Sequence, residues 1–169
     1  MITGPNGFLY NELDLQDSED LLFLLGGPTT DDESKLDEYV KSTKELINNN
    51  TDKYVVFASN AWIDNHNDSY SNAKKELEQF IKQSCTRHLI LRIGDIISKD
   101  ISKVRKMKSD RMQQQILRNE LSDIPLKSHY LDLEQFVKET KNVIENKNVG
   151  IYHYNLTELT LMELKNYAN

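Results

Sequence analysis

Three uninterrupted apolar runs, separated by stretches of helical periodicity, constrain this chain more than any other feature. The runs are Leu21–Leu25, closed by Gly26-Gly27-Pro28, then Tyr54–Ala58, then His88–Ile93. Between the first two, Lys35–Asn48 places Leu36, Tyr39, Val40, Thr43, Leu46 and Ile47 on one helical stripe. Between the second and third, the stretch Tyr70–Gln83 does the same with Ala73, Leu77, Phe80 and Ile81. A strand that is apolar along its whole length has no face to give to water, so both its faces must be covered. Strands of that kind alternating with helices predict an α/β fold, a Rossmann-like parallel sheet with helices on both faces and right-handed crossovers.

Beyond Gly94 the pattern loosens. Met107–Asn119 reads as helix. Leu131–Glu145 is a clearer one, with Asp132 at its start and Phe136, Val137 and Val143 or Ile144 turned inward. Gly150–Tyr154 reads as a short strand, and Leu159–Tyr167 as a terminal helix capped by Thr157 or Thr160. No repeat or low-complexity linker interrupts the 169 residues, so a single domain is expected over 1–169, with 99–130 a reduced substrate-side segment.

Composition narrows the setting. The longest apolar run falls far short of the roughly 20 residues that span a bilayer. The N-terminus lacks the charged, apolar and small-residue sequence of a signal peptide. One cysteine, Cys85, excludes an internal disulfide and suits a reducing compartment. A cytoplasmic protein is the expectation. A net charge of −6 argues against general nucleic-acid affinity, which needs a cationic surface. A third of the chain's Lys and Arg nonetheless lie between Lys99 and Arg118, Arg105 and Arg111 among them. That run is either a solvated connection or a clamp for a diphosphate or for a partner's acidic face.

Candidate chemistry falls at three places. Gly4 and Gly7, after a β-leaning pair and before a helix, suit a turn whose backbone approaches a pyrophosphate. The second strand runs into Ser59-Asn60, with Trp62 just beyond, there either to pack in the core or to stack on a ligand ring. Tyr70 and Lys74, four residues apart, share one face of the following helix. His66, His88, His129 and His153 lack metal-ligand spacing, so no metal site is expected.

Taken in order, these pieces resemble the short-chain dehydrogenase/reductase superfamily. The extended branch acting on nucleotide sugars (epimerases, dehydratases and the reductase of activated rhamnose) is the nearest match. Thr3-Gly4-Pro5-Asn6-Gly7-Phe8-Leu9 is similar to its first turn, and Leu22–Gly27 to its fourth strand. Val55–Asn60 is similar to the strand that ends at the catalytic Ser/Thr, and Leu89–Ile97 to its L-R-x-x-x-hydrophobic segment. The stretches His129–Phe136 and Gly150–His153 continue the likeness. The resemblance implies Tyr70 as general acid/base and Lys74 as the cation that lowers its phenol pKa and binds the nicotinamide ribose. It gives the Ser/Thr role to Ser59 or Asn60, and NAD or NADP contacts to Gly4, Gly7, Phe8, Gly26, Gly27 and Lys74. Trp62, Arg105 and Arg111 fall to the substrate, a small molecule such as a nucleotide sugar. It also implies a homo-oligomer, a dimer formed through the two helices that carry Tyr39 and Tyr70.

The chain departs from the family's pattern in specific places. Tyr10 stands at the third glycine position, and Tyr39 where a helix asparagine is common. Only Glu12–Asp20 fills the interval in which the family builds two helices and two strands, so the second and third strands and much of the adenosine site are missing. Three functions stay open. One is an NAD(P)-dependent epimerase, dehydratase or reductase. Another is a degenerate relative without dinucleotide binding, acting as a binding or assembly module. The last is an enzyme that reuses the tyrosine on a small non-dinucleotide metabolite.

Overall fold

A computed structural model describes residues 2–3, 8–15, 18–28, 30, 32–104 and 127–167. Gly4, Gly7, Arg105, Arg111 and the helix expected over Met107–Asn119 lie outside the described residues. The chain divides into two units, Met1–Ile93 with Thr140–His153, and Gly94–Glu139 with Tyr154–Asn169.

The first unit is the sheet foreseen from the apolar runs. Its strands are β1 (Ile2–Thr3), β2 (Leu21–Leu24), β3 (Tyr54–Asn60), β4 (His88–Ile93) and β7 (Gly150–His153). All pair in parallel, in the spatial order β1-β2-β3-β4-β7. Among the described residues, the α-helices that belong wholly to this unit are α1 (Phe8–Leu13), α2 (Glu33–Asn48) and α3 (Ser69–Ser84). The β2 side chains are all buried, as are those of β3 up to Ser59. These continuous runs therefore end up as the central strands that need cover on both faces.

The helix starts are fixed by local chemistry. Asp32 caps α2 by accepting from the Lys35 amide at 3.4 Å, and Asp68 caps α3 by accepting from the Ser71 amide at 2.7 Å. Leu36, Val40 and Ile47 of α2 and Leu77 and Ile81 of α3 pack with Val55 and Phe57 of β3 in one buried cluster. Val55 and Phe57 therefore face these two helices, and by the alternation of a strand so does Ser59. Cys85, at the C-terminal cap of α3, is buried in the same cluster, and that burial pushes its thiol pKa up.

The second unit holds a small sheet that the apolar pattern did not announce. Its strands are β5 (Asp95–Ile97), β6 (Lys127–Asp132) and β8 (Thr157–Thr160), with β5 parallel and β8 antiparallel to β6. Short helices α4 (Ile101–Val104) and α6 (Leu161–Asn166) flank them, and α5 (Leu133–Glu145) begins in this unit and ends in the first. Two expected boundaries move. Leu131 and Asp132 are strand residues, so the helix starts at Leu133; Asp132 still serves its start, its Oδ1 accepting from the amides of Glu134 and Gln135. Leu159 likewise belongs to β8, and Thr160 is the cap of α6, closing a reciprocal capping box with Glu163. In both places pairing with β6 claims backbone that the helical pattern also suited. Among the described residues no helix is long and apolar enough to cross a membrane.

Candidate functional site

A short connection with a 3-10 turn at Ile63–Asn65 leads from the end of β3 to α3, so the first turns of α3 lie at the C-terminal rim of the parallel sheet. Open sheets of this kind bind ligands at that rim. Asp68, the Asn67 carbonyl and the His66 carbonyl hold the entry to the helix, the last by accepting from Lys75 Nζ at 2.8 Å. This anchoring fixes the rotation of α3 and turns Tyr70 and Lys74 toward the sheet and α2.

Lys74 is only 3% exposed. Its Nζ donates to the Ala58 carbonyl at 2.9 Å and to Tyr39 Oη at 3.1 Å. Three rings surround it, with centroids 4.7 Å (Phe57), 5.2 Å (Tyr39) and 5.7 Å (Tyr70) from the nitrogen. Burial pulls its pKa from 10.5 down to about 7, with Glu78, one turn further along α3, opposing the shift. Tyr70 is half-buried beside this ammonium, packed against the core cluster. The sequence expectation that the phenol and the cation are neighbours matches this geometry.

Tyr39 completes the group. Its hydroxyl donates to the Gly26 carbonyl at 3.0 Å while accepting from Lys74. Burial, with Tyr70 nearby, raises its pKa well above that of an ordinary tyrosine. A Cβ at Gly27 would stand 3.2 Å from both Lys74 Nζ and Tyr39 Oη, so glycine is what lets the turn after β2 lie against this pair. Beside them a cleft of about 380 Å³ runs between that turn and the flank of α2, lined by Leu24, Gly26, Gly27, Tyr39, Ser42 and Leu46.

The two candidates for the Ser/Thr role differ in surroundings. Ser59 faces α2 and α3, and its Oγ is buried with no hydrogen-bond partner among the described residues. Such a group costs free energy unless something satisfies it. Asn60 is half-buried and uses its side-chain carbonyl on the Trp62 amide at 2.8 Å, which shapes the turn leaving β3. Trp62 is half-buried in that turn. Phe8 is half-buried at the first position of α1.

One charged group was not singled out from the sequence. Glu78, 2% exposed, takes a bidentate pair from Arg92 of β4 at 3.1 and 2.8 Å, and Arg92 also reaches Asp64 at 2.5 Å. The signal was present in Lys74-x-x-x-Glu78, which stacks a carboxylate beneath the lysine on the same helical face.

Neither a protein-family model nor a curated protein sequence matches the chain. Solved structures do. The chain is similar to dTDP-4-dehydrorhamnose reductase from Bacillus anthracis, solved in complex with NADP, with a TM-score of 0.72 and 15% identity over 99% of this chain and 78% of that one. It is similar to RMD from Pseudomonas aeruginosa, complexed with NADPH, with a TM-score of 0.74 and 13% identity over 98% and 80%. WbmH from Bordetella bronchiseptica, in complex with NAD+, gives 0.70 and 11% over 98% and 78%. At these identities the likeness is one of fold, and the Rossmann-like architecture read from the sequence is the architecture of the chain.

Proposed function

We propose that this chain is an NAD(P)-dependent enzyme acting on a nucleotide-linked sugar, as an epimerase, dehydratase or reductase, in the cytoplasm. The observation that carries the reading is the Tyr70–Lys74 pair, a phenol beside a buried ammonium at the C-terminal rim of the sheet. Tyr70 Oη would give a proton to, or take one from, a hydroxyl or carbonyl oxygen of the sugar. A free phenol, with a pKa of about 10, does this poorly near neutrality; a cation next to its ring favours the phenolate and lowers that value. Ser59 Oγ, with its hydrogen-bonding capacity unspent, would hold the same substrate oxygen.

The residues at this end of the site fit a nicotinamide ribose. Gly27 offers no side chain in front of the Lys74 ammonium, and Gly26, Gly27 and Lys74 would hold the sugar there. The bound dinucleotide supplies or accepts the hydride. Solved neighbours in complex with NADP, NADPH and NAD+ support this choice of cofactor. Two copies would associate through α2 and α3.

One observation favours the second reading, a module that has given up the dinucleotide. Only residues 14–20 join α1 to β2, too few to build an adenosine half-site. Thermal unfolding with NAD, NADP, their reduced forms and nucleotide sugars separates the two. A ligand at a hundredfold excess over its Kd adds about 2.7 kcal/mol to the stability of the form that binds it. Stabilisation by a dinucleotide is the expected result, together with loss of turnover in Tyr70→Phe at an unchanged Tm. Silence toward every dinucleotide favours the module, and a response to another metabolite alone favours an enzyme without nicotinamide. Turnover that survives Tyr70→Phe removes the phenol from the chemistry.

A further inference from the structure

Tyr39 has no part in the acid/base pair, yet its oxygen lies within hydrogen-bonding distance of the cation on which that pair depends. Its phenol links three segments distant in sequence: the turn after β2 through the Gly26 carbonyl, α2 through its own backbone, and α3 through Lys74. We propose that Tyr39 is the positioning residue for Lys74, its oxygen standing in for a ligand hydroxyl that engages the ammonium by displacing it. The displacement half of this inference rests on the functional reading above; the positioning half does not.

The geometry supports both halves. An ammonium has three protons to give, and Lys74 commits one to the fixed Ala58 carbonyl and one to the Tyr39 hydroxyl. The Ala58 carbonyl belongs to β3 and cannot move without disturbing the sheet. The phenol is on a side chain and can. It also has somewhere to go, because Tyr39 forms a wall of the cleft between α2 and the turn after β2. On the side of the turn after β2, Gly27 lies against the ammonium with no side chain, a Cβ there standing 3.2 Å from Lys74 Nζ. The groups facing Lys74 are Tyr39 from α2, Tyr70 and Glu78 from α3, and the Phe57 ring and Ala58 carbonyl from β3. Glu78 is already held by Arg92. Tyr39 is therefore the side chain among them that both bonds the ammonium and can exchange with a ligand.

The test follows the Lys74 side chain directly by carbon NMR of labelled lysine across pH 5 to 11, with Lys74→Met assigning the signal. Tyr39→Phe keeps the ring and removes the oxygen. Its Lys74 midpoint is expected about one pH unit below wild type, the size of one lost bond to a charged group. Gly27→Ala is the second variant; it crowds the same contact with Tyr39 intact and should also move the midpoint. Circular dichroism establishes that each variant is folded. A midpoint that stays in place in folded Tyr39→Phe overturns the positioning role. Displacement is then read from NADH and NADPH binding: with no bond to break, Tyr39→Phe should bind about five- to tenfold more tightly. Equal affinity in variant and wild type overturns displacement. Failure of both proteins to bind any dinucleotide overturns the cofactor reading, and the NMR titration alone then decides the role of Tyr39.

Discussion

Replacing Lys74 with methionine should make the protein more stable at pH 6 and scarcely change it at pH 9. The gap between an ordinary lysine value of 10.5 and about 7 corresponds to a cost of about 5 kcal/mol for keeping the ammonium charged in its buried position. The side chain is fully enclosed, so solvent does not screen that cost away. Methionine fills nearly the same volume among the rings of Phe57, Tyr39 and Tyr70, and carries no charge to desolvate. Against this gain stands the loss of the donor to the Ala58 carbonyl and to the Tyr39 hydroxyl, together worth about 1–3 kcal/mol. At pH 6 the variant should therefore lead by about 2–3 kcal/mol. Between about pH 7 and 10.5 the unfolded wild-type chain binds more protons at this lysine than the native one. Wild-type stability consequently rises with pH across that window, by about 2.5 kcal/mol between pH 6 and 9 from this group alone. Urea unfolding of both proteins at pH 6, 7, 8 and 9 measures the difference, and titrating groups remote from Lys74 cancel between them. A difference that stays level within about 0.5 kcal/mol across the series would refute the claim that this ammonium is buried at a cost.

Three further outcomes follow from the same geometry. The value of kcat/KM should fall as pH rises through about 7, because Lys74 supports the Tyr70 phenolate only while it is charged; a profile flat from pH 6 to 9 would count against the pair. Glu78→Gln should cost about 1.5–3 kcal/mol in urea unfolding, since the guanidinium of Arg92, whose side chain is 10% exposed, loses its bidentate carboxylate and keeps only Asp64 as a charged partner. Thr160→Ala removes the capping box of α6 and should cost about 1 kcal/mol, seen as faster amide exchange in that helix with β2 and β3 unaffected.

The first unit was largely legible because its signals are local and redundant. A fully apolar strand can only be central, and a helix with one apolar stripe can only lie against it. The second sheet was not legible, for the same reason inverted. The strands β5, β6 and β8 are short and their residues mix polar with apolar, so nothing in their periodicity outweighs the helical pattern that continues through Leu131 or Leu159. What makes them strands is the partner, with Tyr130 opposite both Asp95 and Thr157. The choice between Ser59 and Asn60 was open in sequence for a related reason. Adjacent residues of a strand take opposite faces, and only the packing of Val55 and Phe57 against α2 and α3 tells which face is which.

By itself the chain's order of residues determined a parallel sheet with crossover helices, and set Tyr70 and Lys74 one turn apart on a single helical face. Those are consequences of the 3.6-residue and two-residue repeats, which act over a few positions. Only the tertiary structure decided what the lysine is bonded to. Tyr39 lies 35 residues before Lys74 on a different helix, and their contact exists because α2 and α3 pack side by side over β3, with a glycine turn close enough to share the phenol. No local repeat encodes a meeting of that kind; it depends on how buried surfaces from distant segments fit together.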